Sequence, residues 1–272
     1  MRRNPLPGRK HELARIARAA HGGVIGIRES ARALGMPARD ASARLGALAR
    51  AGWLTRVRRG VYLVMPLEAE SHGQTTAEDP WLLAVALFPP CYIGGWSAAE
   101  HWGLTEQLFR STFVVTAAHI RTRTANHLGA AFTLVRVRPE RVQHLTPVWR
   151  GSSRVLVSSR ERTVVDAAID PRWLGGFRHL ADVFTAYSTD PAANPAALLR
   201  ELRRSGNGAA AKRVGYLAEQ IWPSARDLVD GALGLRSTGV VKLDPAIARR
   251  GRKNSRWGLW LNVSLDGIVA HD

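Results

Sequence analysis

Hydrophobic residues in the first quarter of the chain recur at the spacing of short amphipathic helices. The segments His11–Ala20 and Arg28–Leu34 each place apolar residues at intervals of three or four, as one face of a helix requires. Gly35-Met36-Pro37 then forms a tight turn, Pro37 is suited to the first position of a third helix, and Gly52 is suited to end it. The pattern therefore predicts three helices, with a short turn between the second and the third.

The third predicted helix has one apolar stripe, and a basic hairpin is predicted to follow it. Two β-prone runs, Trp53-Leu54-Thr55 and Val61-Tyr62-Leu63-Val64, are joined by Arg56-Val57-Arg58-Arg59-Gly60. Three helices followed by a basic hairpin predict a winged helix-turn-helix. The stripe that should face its core has i, i+4, i+7 spacing and consists of Ala41, Leu45 and Leu48.

Downstream of residue 79, helix and strand patterns are mixed without a regular strand–helix–strand alternation. This mixture favours an α+β fold, with a larger mixed α/β C-terminal domain, over a doubly wound sheet. We predict a winged helix-turn-helix domain at 1–68, a polar connector at 69–79 and the larger domain at 80–272. Ser97 with Glu100, and Ser158 with Glu161, have capping-box spacing and are predicted to begin helices. Helices are predicted at 81–88, 97–102, 163–169, 177–187, 195–204 and 209–222, and strands at 113–115, 132–135, 155–157, 240–243 and 257–263.

Positive charge is concentrated in the N-terminal quarter. The chain has 39 lysines and arginines against 22 acidic residues, a net charge of +17. Residues 1–66 hold 14 of the basic and three of the acidic residues, or +11, which leaves +6 for all the rest. Such clustering is typical of proteins that bind nucleic acid, because lysines and arginines release counterions from the phosphates.

The predicted winged helix presents its arginines where a duplex would lie. Near the start of the third helix, Arg39 and Ser42 are expected to reach base edges, and the small residues Ala43 and Gly46 to allow close approach to the major groove. The hairpin arginines are expected at phosphates or in a minor groove. Asp40 opposes this interpretation, since a carboxylate repels phosphate. The full predicted DNA-binding set is Arg28, Arg32, Arg39, Ser42, Ala43, Arg50, Arg56, Arg58 and Arg59.

Two other uses of a winged helix stay open. Such modules also serve as dimerisation or protein-docking domains. An RNA target is disfavoured, because the sequence lacks the run of aromatic residues on which single-stranded bases stack.

A second basic run lies near the C-terminus. A second basic contact to DNA, or alternatively a loop, is predicted at Arg249, Arg250, Arg252 and Lys253.

The sequence contains no strong catalytic or cofactor-binding pattern. The phosphate-binding glycine motifs are absent, and no histidine stands at metal-ligand spacing with a cysteine or a second histidine. His101 with Glu100 suits a surface or capping role better than acid–base catalysis. Asp166 and Asp170 are four residues apart, but nearby arginines make salt bridges the simpler explanation than a cation site. We therefore predict no enzymatic activity, no cofactor and no metal.

Cysteine content and hydropathy indicate the cellular compartment in which the protein works. Cys91 is the only cysteine, so an intramolecular disulfide is excluded and a reducing compartment is favoured. No run of eighteen apolar residues occurs, and the charged N-terminus is followed by an amphipathic segment rather than an apolar signal core. These features predict a cytoplasmic protein with no membrane partner.

Several segments together resemble the AbiEi-type antitoxins, the regulator component of bacterial type IV toxin–antitoxin and abortive-infection loci. The similarity extends over nearly the whole chain, and its downstream part is the more specific, because many winged helices end in a Gly-x-Tyr hairpin. The N-terminal segments are Gly23–Ile27, Ala31–Gly35 and Gly52–Tyr62. The downstream segments are Ser97–Thr105, Glu161–Asp166, Pro171, Gly175-Gly176, Lys212–Leu217, Leu243–Pro245, Arg256-Trp257 and Asn262.

The resemblance implies a repressor of its own operon that binds inverted repeats in double-stranded operator DNA. It also implies a larger domain that counteracts a nucleotidyltransferase-like toxin encoded beside it, by direct binding or only by opposing its effect. The family brings no catalytic residues to transfer. Two alternatives stay open. One is an autonomous winged-helix transcription factor with a ligand-sensing or dimerisation domain, and the other is a DNA-directed nuclease, which the missing metal cluster disfavours.

Overall fold

The computed structural model of the chain describes residues 7–20, 23–64, 79–150 and 153–265. The fold is α+β, as predicted. Its contacts divide the chain into two compact units, Met1–Tyr92 with Val114–Leu156, and Ile93–Phe113 with Val157–Asp272. The predicted connector at 69–79 lies outside the described residues except for Asp79. The compact units do not follow the boundary predicted at residue 80, so the division into 1–68 and 80–272 stays a prediction about function.

Three helices and a three-stranded antiparallel sheet form the N-terminal part of the first unit. Gly35 ends the second helix in the left-handed conformation, with φ of +67°, which permits the sharp turn into the third. In the sheet, Ile25 pairs with Tyr62 and Thr55 with Leu63. The elements are α1 (Pro7–Ala19), β1 (Val24–Gly26), α2 (Ile27–Leu34), α3 (Ala38–Arg50), β2 (Leu54–Arg58) and β3 (Val61–Val64), and the sheet order is β1-β3-β2. Their buried core is Leu13, Ile16, Ile25, Leu45, Leu48, Leu54 and Tyr62.

Two details of this module differ from the prediction. Pro37 precedes α3 as its N-cap instead of being its first residue. The hairpin loop was predicted to begin at Arg56, but β2 continues to Arg58, so that only Arg59 and Gly60 form the turn. The strand continues because Arg56 pairs with Tyr62 and Arg58 with Val61, and because Gly60 adopts the positive φ that a tight turn requires.

A helix and a larger sheet complete the first unit. The helix is α4 (Pro80–Leu87), where the side chain of Asp79 accepts a hydrogen bond from the amide of Trp81 at 2.8 Å and so caps the helix. Most residues of the sheet belong to this unit, and Phe88 packs edge-on against Phe132 of the sheet, with 5.5 Å between ring centroids. Its strands are β4 (Cys91–Ile93), β5 (Ser111–Thr116), β6 (Thr124–His127), β7 (Ala130–Arg136), β8 (Thr146–Arg150) and β9 (Ser153–Val157), in the order β6-β7-β5-β4-β9-β8.

The second unit is largely helical. Its core includes Phe177, Phe184, Tyr187 and Trp257, all fully buried. Gly215 is required there, because a Cβ at this position would lie 2.2 Å from the Trp257 ring. The helices are α5 (Gly95–His101), α6 (Arg160–Ile169), α7 (Phe177–Thr189), α8 (Pro195–Ser205), α9 (Gly208–Ile221) and α10 (Arg226–Leu235). A small sheet has the order β10-β12-β11, with β10 (Val241–Lys242), β11 (Arg252–Asn254) and β12 (Leu259–Leu261).

Both predicted capping boxes are wrong in position. Ser97 lies inside α5, which begins at Gly95 and has Gly94 as its N-cap. The hydroxyl of Ser97 accepts a hydrogen bond from the amide of Phe113 at 2.9 Å. At α6 the cap is Ser159, whose hydroxyl accepts from the amide of Arg162 at 3.1 Å. Ser158 is fully buried and pairs instead with the hydroxyl of Thr163 at 2.8 Å.

Candidate nucleic-acid interface

Helix α3 has a buried side and an exposed side, as a recognition helix requires. Its buried residues are Ala41, Leu45 and Leu48, the stripe predicted from the spacing. On the other side, Arg39 and Ala43 are exposed. Two more predicted DNA-binding residues lie on this helix: Arg50 is exposed and Ser42 is half-buried. Of the other two residues considered above, Asp40 is exposed and Gly46 is half-buried.

Gly46 is not needed for the packing of the module. A Cβ built at this position would meet its nearest neighbour, Nη1 of Arg50, at 3.7 Å, which is an ordinary contact. A glycine inside a helix is less favourable than alanine by about 1 kcal/mol. Packing within the module therefore does not explain why this position is glycine. Close approach of another molecule to the helix backbone would explain it.

The three hairpin arginines differ in what they contact. Arg56, Arg58 and Arg59 are all exposed. The guanidinium of Arg58 donates a hydrogen bond to the carbonyl oxygen of Ala86 in α4 at 3.2 Å. Within the described part of the chain, the side chains of Arg56 and Arg59 have no hydrogen-bond or ion-pair partner. Arg58 is thus partly engaged within the protein, whereas the other two side chains project freely.

One further arginine of α3, which is not among the predicted DNA-binding residues, has a structural role. Arg44 forms a two-pronged ion pair with Glu12 of α1. The hydrogen bonds to Glu12 raise the pKa of the Arg44 guanidinium. This pair joins α3 to α1 and neutralises one positive charge. The i, i+4 patterns within single helices could not indicate it, since its partners are 32 residues apart.

A shallow concavity lies between the end of α3 and the hairpin. Arg50 and Arg56 both line it, which suits a phosphate group. Its volume is about 530 Å³, and the lining residues are Gly46, Ala49, Arg50, Gly52, Leu54, Thr55, Arg56 and Tyr62. On the preceding helix α2, Arg28 and Arg32 are exposed.

The basic run near the C-terminus is half loop and half strand. Arg249 donates to the carbonyl oxygen of Asn262 at 3.2 Å, and the guanidinium of Arg250 lies 5.8 Å from the Trp260 ring centroid. Arg252 and Lys253 are exposed on β11. A contact of this run with DNA stays a prediction.

The residues weighed for catalysis or metal binding have ordinary structural partners. Asp166 is buried in an ion pair with Arg162 at 3.2 Å, and Asp170 binds Arg172 at 2.7 Å, in accord with the predicted preference for salt bridges. His101 is exposed, and its ring packs against Trp102 with 4.5 Å between centroids. Burial raises the pKa of the Cys91 thiol to about 12.

Two kinds of feature are absent from the described residues. Among them, no three histidine, cysteine, aspartate or glutamate side chains come together as a metal site would require. No helix in the same part of the chain has the length and apolar character needed to cross a bilayer.

Comparison with known proteins supports the N-terminal assignment. Residues 12–64 match the model of a protein family described as a transcriptional regulator, the AbiEi antitoxin. The resemblance inferred from the sequence is therefore confirmed over those residues, which include α2, α3 and the hairpin.

The solved structure of the RV2827C protein from Mycobacterium tuberculosis resembles the whole chain. The TM-score is 0.59 at 19% sequence identity, over 95% of this chain and 92% of that chain. At this identity the similarity establishes the fold alone. None of the curated proteins matches the chain.

Proposed function

We propose that this chain is a DNA-binding antitoxin that represses its own operon and counteracts a nucleotidyltransferase-like toxin, without catalysing a reaction. The match of residues 12–64 to a family of transcriptional regulators supports the regulatory part. The observation that carries the DNA-binding part is a row of exposed arginines, Arg39 and Arg50 on α3 and Arg56 and Arg59 on the hairpin.

In the proposed complex, α3 enters the major groove of the operator. Arg39 and Ser42 near its start read base edges, since recognition helices read mainly with their N-terminal residues. Ala43 and Gly46 have little or no side chain, so the helix backbone comes close to the bases. Arg50 and Arg56 hold a phosphate in the concavity between helix and hairpin, and Arg28 and Arg32 reach the backbone from α2.

Direct binding measurements test this proposal. The probe is the duplex that precedes the chain's own gene, and the comparison is a shuffled duplex of the same length and composition. The full chain should bind the first in preference to the second. The double variant Arg56→Ala/Arg59→Ala should bind both more weakly, with a salt slope lower by about 1 for each phosphate that is no longer neutralised. Both side chains are exposed, so thermal unfolding should stay at the wild-type temperature.

A matched control removes the same charge from the second unit. Arg200 and Arg203 lie exposed on α8, and the variant Arg200→Ala/Arg203→Ala should bind like the wild type. Equal affinity of the wild type for the two duplexes would contradict operator recognition. Equal binding by the wild type and the Arg56/Arg59 variant would contradict the role of the hairpin.

One observation favours a second candidate function, a regulator that responds to a small ligand. The first unit has a half-open, mainly apolar pocket of about 680 Å³, within the range of ligand sites of roughly 300–1,000 Å³. Arg58 of the hairpin is among its lining residues, so an occupant would touch the proposed DNA-binding module. The others are Val24, Gly26, Glu29, Val61, Leu82, Val85, Ala86, Pro89, Trp149, Ser153 and Arg154.

The two functions are separable by filling that pocket. The variant Ala86→Trp should leave toxin neutralisation and operator binding intact if the chain is an antitoxin. If the chain is a ligand-responsive regulator, cells carrying this variant should lose a growth-condition-dependent change in repression that the wild type shows. A wild type that represses equally under all conditions tested would contradict the second function.

A further inference from the structure

Helix α4 is apolar on every side, yet the described residues leave one of its sides only half-buried. Pro80–Leu87 contains only proline, tryptophan, leucine, alanine and valine. A helix that is hydrophobic all round is normally buried all round. Most residues of α4 are indeed buried, but Leu82, Val85 and Ala86 are not, and their spacing of three and four residues places them on one face. This face lines the pocket of about 680 Å³ that contains Arg58.

The winged helix contributes further apolar surface to the same pocket. Val24 on β1 and Val61 on β3 line it, as does Pro89 just after α4. All twelve lining residues belong to the first compact unit, in which α4 also contacts β1. A molecule in this pocket would therefore contact α4 and the winged helix at the same time.

A tryptophan on the edge strand β8 adds an exposed aromatic ring. Trp149 lines the pocket, and 68% of its surface is exposed. Tryptophan buries a large apolar area when a partner covers it, and its ring packs well against other flat ring systems. Exposed tryptophans of this kind are enriched where a protein binds another molecule. The ring and the open face of α4 together suit a planar apolar occupant.

The charged groups of the pocket favour an anion. Arg154 lies exposed on β9 and has no hydrogen-bond or ion-pair partner among the described residues. Arg58 donates one hydrogen bond to the carbonyl oxygen of Ala86 and has further N–H groups to offer. Glu29 is the one acidic lining residue, and its carboxylate lies against the backbone of Gly26 at the N-terminus of α2. The positive end of that helix balances its charge, which leaves two cations for an occupant.

These two properties together narrow the class of ligand. A purely apolar molecule would desolvate the guanidinium groups without pairing them, which is costly. A small inorganic anion would pair with them but would leave the apolar face of α4 uncovered. The pocket volume lies within the range of sites for small organic molecules, roughly 300–1,000 Å³.

We propose that this pocket binds a small aromatic anion. Its ring system packs between Trp149 and the face of α4 formed by Leu82, Val85 and Ala86, and its carboxylate, sulfonate or phosphate group accepts hydrogen bonds from Arg154 and Arg58. The inference rests on the second candidate function for its use in the cell, and it gives the chemical class of the ligand that this function requires. Because residues of β1, β2 and β3 line the site, an occupant should also alter operator binding.

The test titrates the full chain with two fluorescent probes that share one ring system. Anilinonaphthalene sulfonate carries an anionic group, and phenylnaphthylamine lacks it. The anionic probe should bind saturably at a single site, as calorimetry can confirm. The neutral probe should bind more weakly, on the order of tenfold, because it makes no charge-assisted hydrogen bond. An alkyl sulfonate, which has the charge but no ring, should displace the anionic probe only at much higher concentration.

Three variants locate the site. Arg154→Ala should weaken binding of the anionic probe on the order of tenfold and leave the neutral probe unaffected. Trp149→Ala should weaken binding of both probes, and Trp149→Phe should restore most of it. Ala86→Trp fills the pocket and should abolish saturable binding. Arg154 and Trp149 are exposed, so their variants should unfold at the wild-type temperature even where Ala86→Trp does not.

Two matched controls make the same exchanges elsewhere. Arg123→Ala removes an exposed arginine of the first unit, and Ala196→Trp adds a tryptophan at an exposed position of α8. Both controls should bind the probes like the wild type.

The outcomes separate this inference from the proposed function. Wild-type binding of the anionic probe by both Arg154→Ala and Trp149→Ala would place the probe elsewhere and overturn the inference, while DNA binding is unaffected. Equal affinity of the wild type for the two probes would refute the anionic class. If the anionic probe occupies the pocket but leaves operator affinity unchanged, the site stands and the second candidate function is wrong. A wild type that binds no operator contradicts the proposed function, and the titrations, which contain no DNA, still decide the inference.

Discussion

The guanidinium of Arg213 donates a hydrogen bond of 2.7 Å to the carbonyl oxygen of Ala168, in the last turn of α6. The same side chain donates to the carbonyl oxygens of Lys242 at 2.8 Å and Leu243 at 2.9 Å. It is buried, with 4% of its surface exposed, and burial lowers its pKa to about 10. One cation thus ties the negative end of a helix to the segment around β10.

We predict that Arg213→Met lowers the free energy of unfolding by about 3 kcal/mol or more, since several buried carbonyl groups lose their donor at roughly 1–3 kcal/mol each. Urea denaturation measures the change. As a control, Arg200→Met at an exposed position of α8 should change stability by less than about 0.5 kcal/mol. Wild-type stability of the Arg213 variant would show that water replaces the guanidinium at no cost.

A second prediction concerns Arg39 at the start of α3. Because the side chain is exposed and near the N-terminus of the proposed recognition helix, Arg39→Ala should change discrimination between operator variants by about 1–3 kcal/mol, as removal of a bidentate hydrogen bond to guanine would. Binding to a set of operators with single base-pair changes measures it. In contrast, Arg28→Ala should weaken binding to all members of the set equally. Uniform weakening by Arg39→Ala would assign this residue to the phosphate backbone instead.

A third prediction uses the small exposed residue in the middle of α3. Ala43→Leu should leave stability within about 0.5 kcal/mol of the wild type, because the site is exposed and leucine favours helices. It should nonetheless weaken duplex binding strongly, because the larger side chain keeps the helix out of the groove. Ala196→Leu, at an exposed position of α8, is the matched control and should affect neither property. Unimpaired binding by the Ala43 variant would show that this face does not meet DNA.

The sequence predicted the winged helix closely because its signals are local. The stripe of Ala41, Leu45 and Leu48 follows directly from helical spacing, and all three residues are buried. The hairpin was less well predicted: the extent of β2 depends on the pairing of Arg56 with Tyr62 and of Arg58 with Val61, and charged residues in a strand give no hydrophobic alternation.

The larger sheet was only partly predictable. β5, β7 and β9 contain the predicted apolar runs, whereas β4, a central strand of only three residues, and the edge strands β6 and β8 were missed. Thr124–His127 has no hydrophobic residue larger than alanine, and Thr146–Arg150 contains Pro147, which argues against a strand except at an edge. Both lie at the edges of the sheet, where pairing with one neighbour decides the conformation. Helix α4 contacts both β1 and β7, and residues 114–156 belong to the same compact unit as the winged helix. No local pattern in the sequence predicts these contacts.

A fourth prediction concerns the pH dependence of stability. His179 is buried, its Nε2 lies 2.9 Å from the hydroxyl of Thr105, and its ring stacks on Phe109. Burial lowers its pKa, and the charge of Asp182 opposes this only in part. The unfolded chain takes up the proton at the ordinary value of about 6.5, and the folded chain only at lower pH. Between these values the unfolded state binds more protons, so stability falls as the pH drops.

The free energy of unfolding should therefore decrease on going from pH 7 to pH 5, and His179→Gln should flatten this dependence. Urea denaturation at several pH values measures it. His119→Gln, at an exposed position, should keep the wild-type dependence. If both variants follow the wild-type curve, another group controls the acid response.

The last prediction separates repression from antitoxicity. A truncation at residue 80 would split the first compact unit, which joins residues 1–92 with 114–156, so the full chain has to be used. In Arg39→Ala/Arg50→Ala/Arg56→Ala/Arg59→Ala, all four altered side chains are exposed, so the fold should persist. We expect this variant to lose repression of a reporter behind its own promoter yet still rescue cells that express the proposed toxin, the product of the adjoining gene. The altered arginines belong to the winged helix, whereas antitoxicity is predicted for the downstream part of the chain. Failure of the variant to rescue growth at wild-type protein levels would show that antitoxicity acts through DNA binding. If the product of the adjoining gene does not arrest growth, the proposal that this chain counteracts a toxin encoded there is wrong.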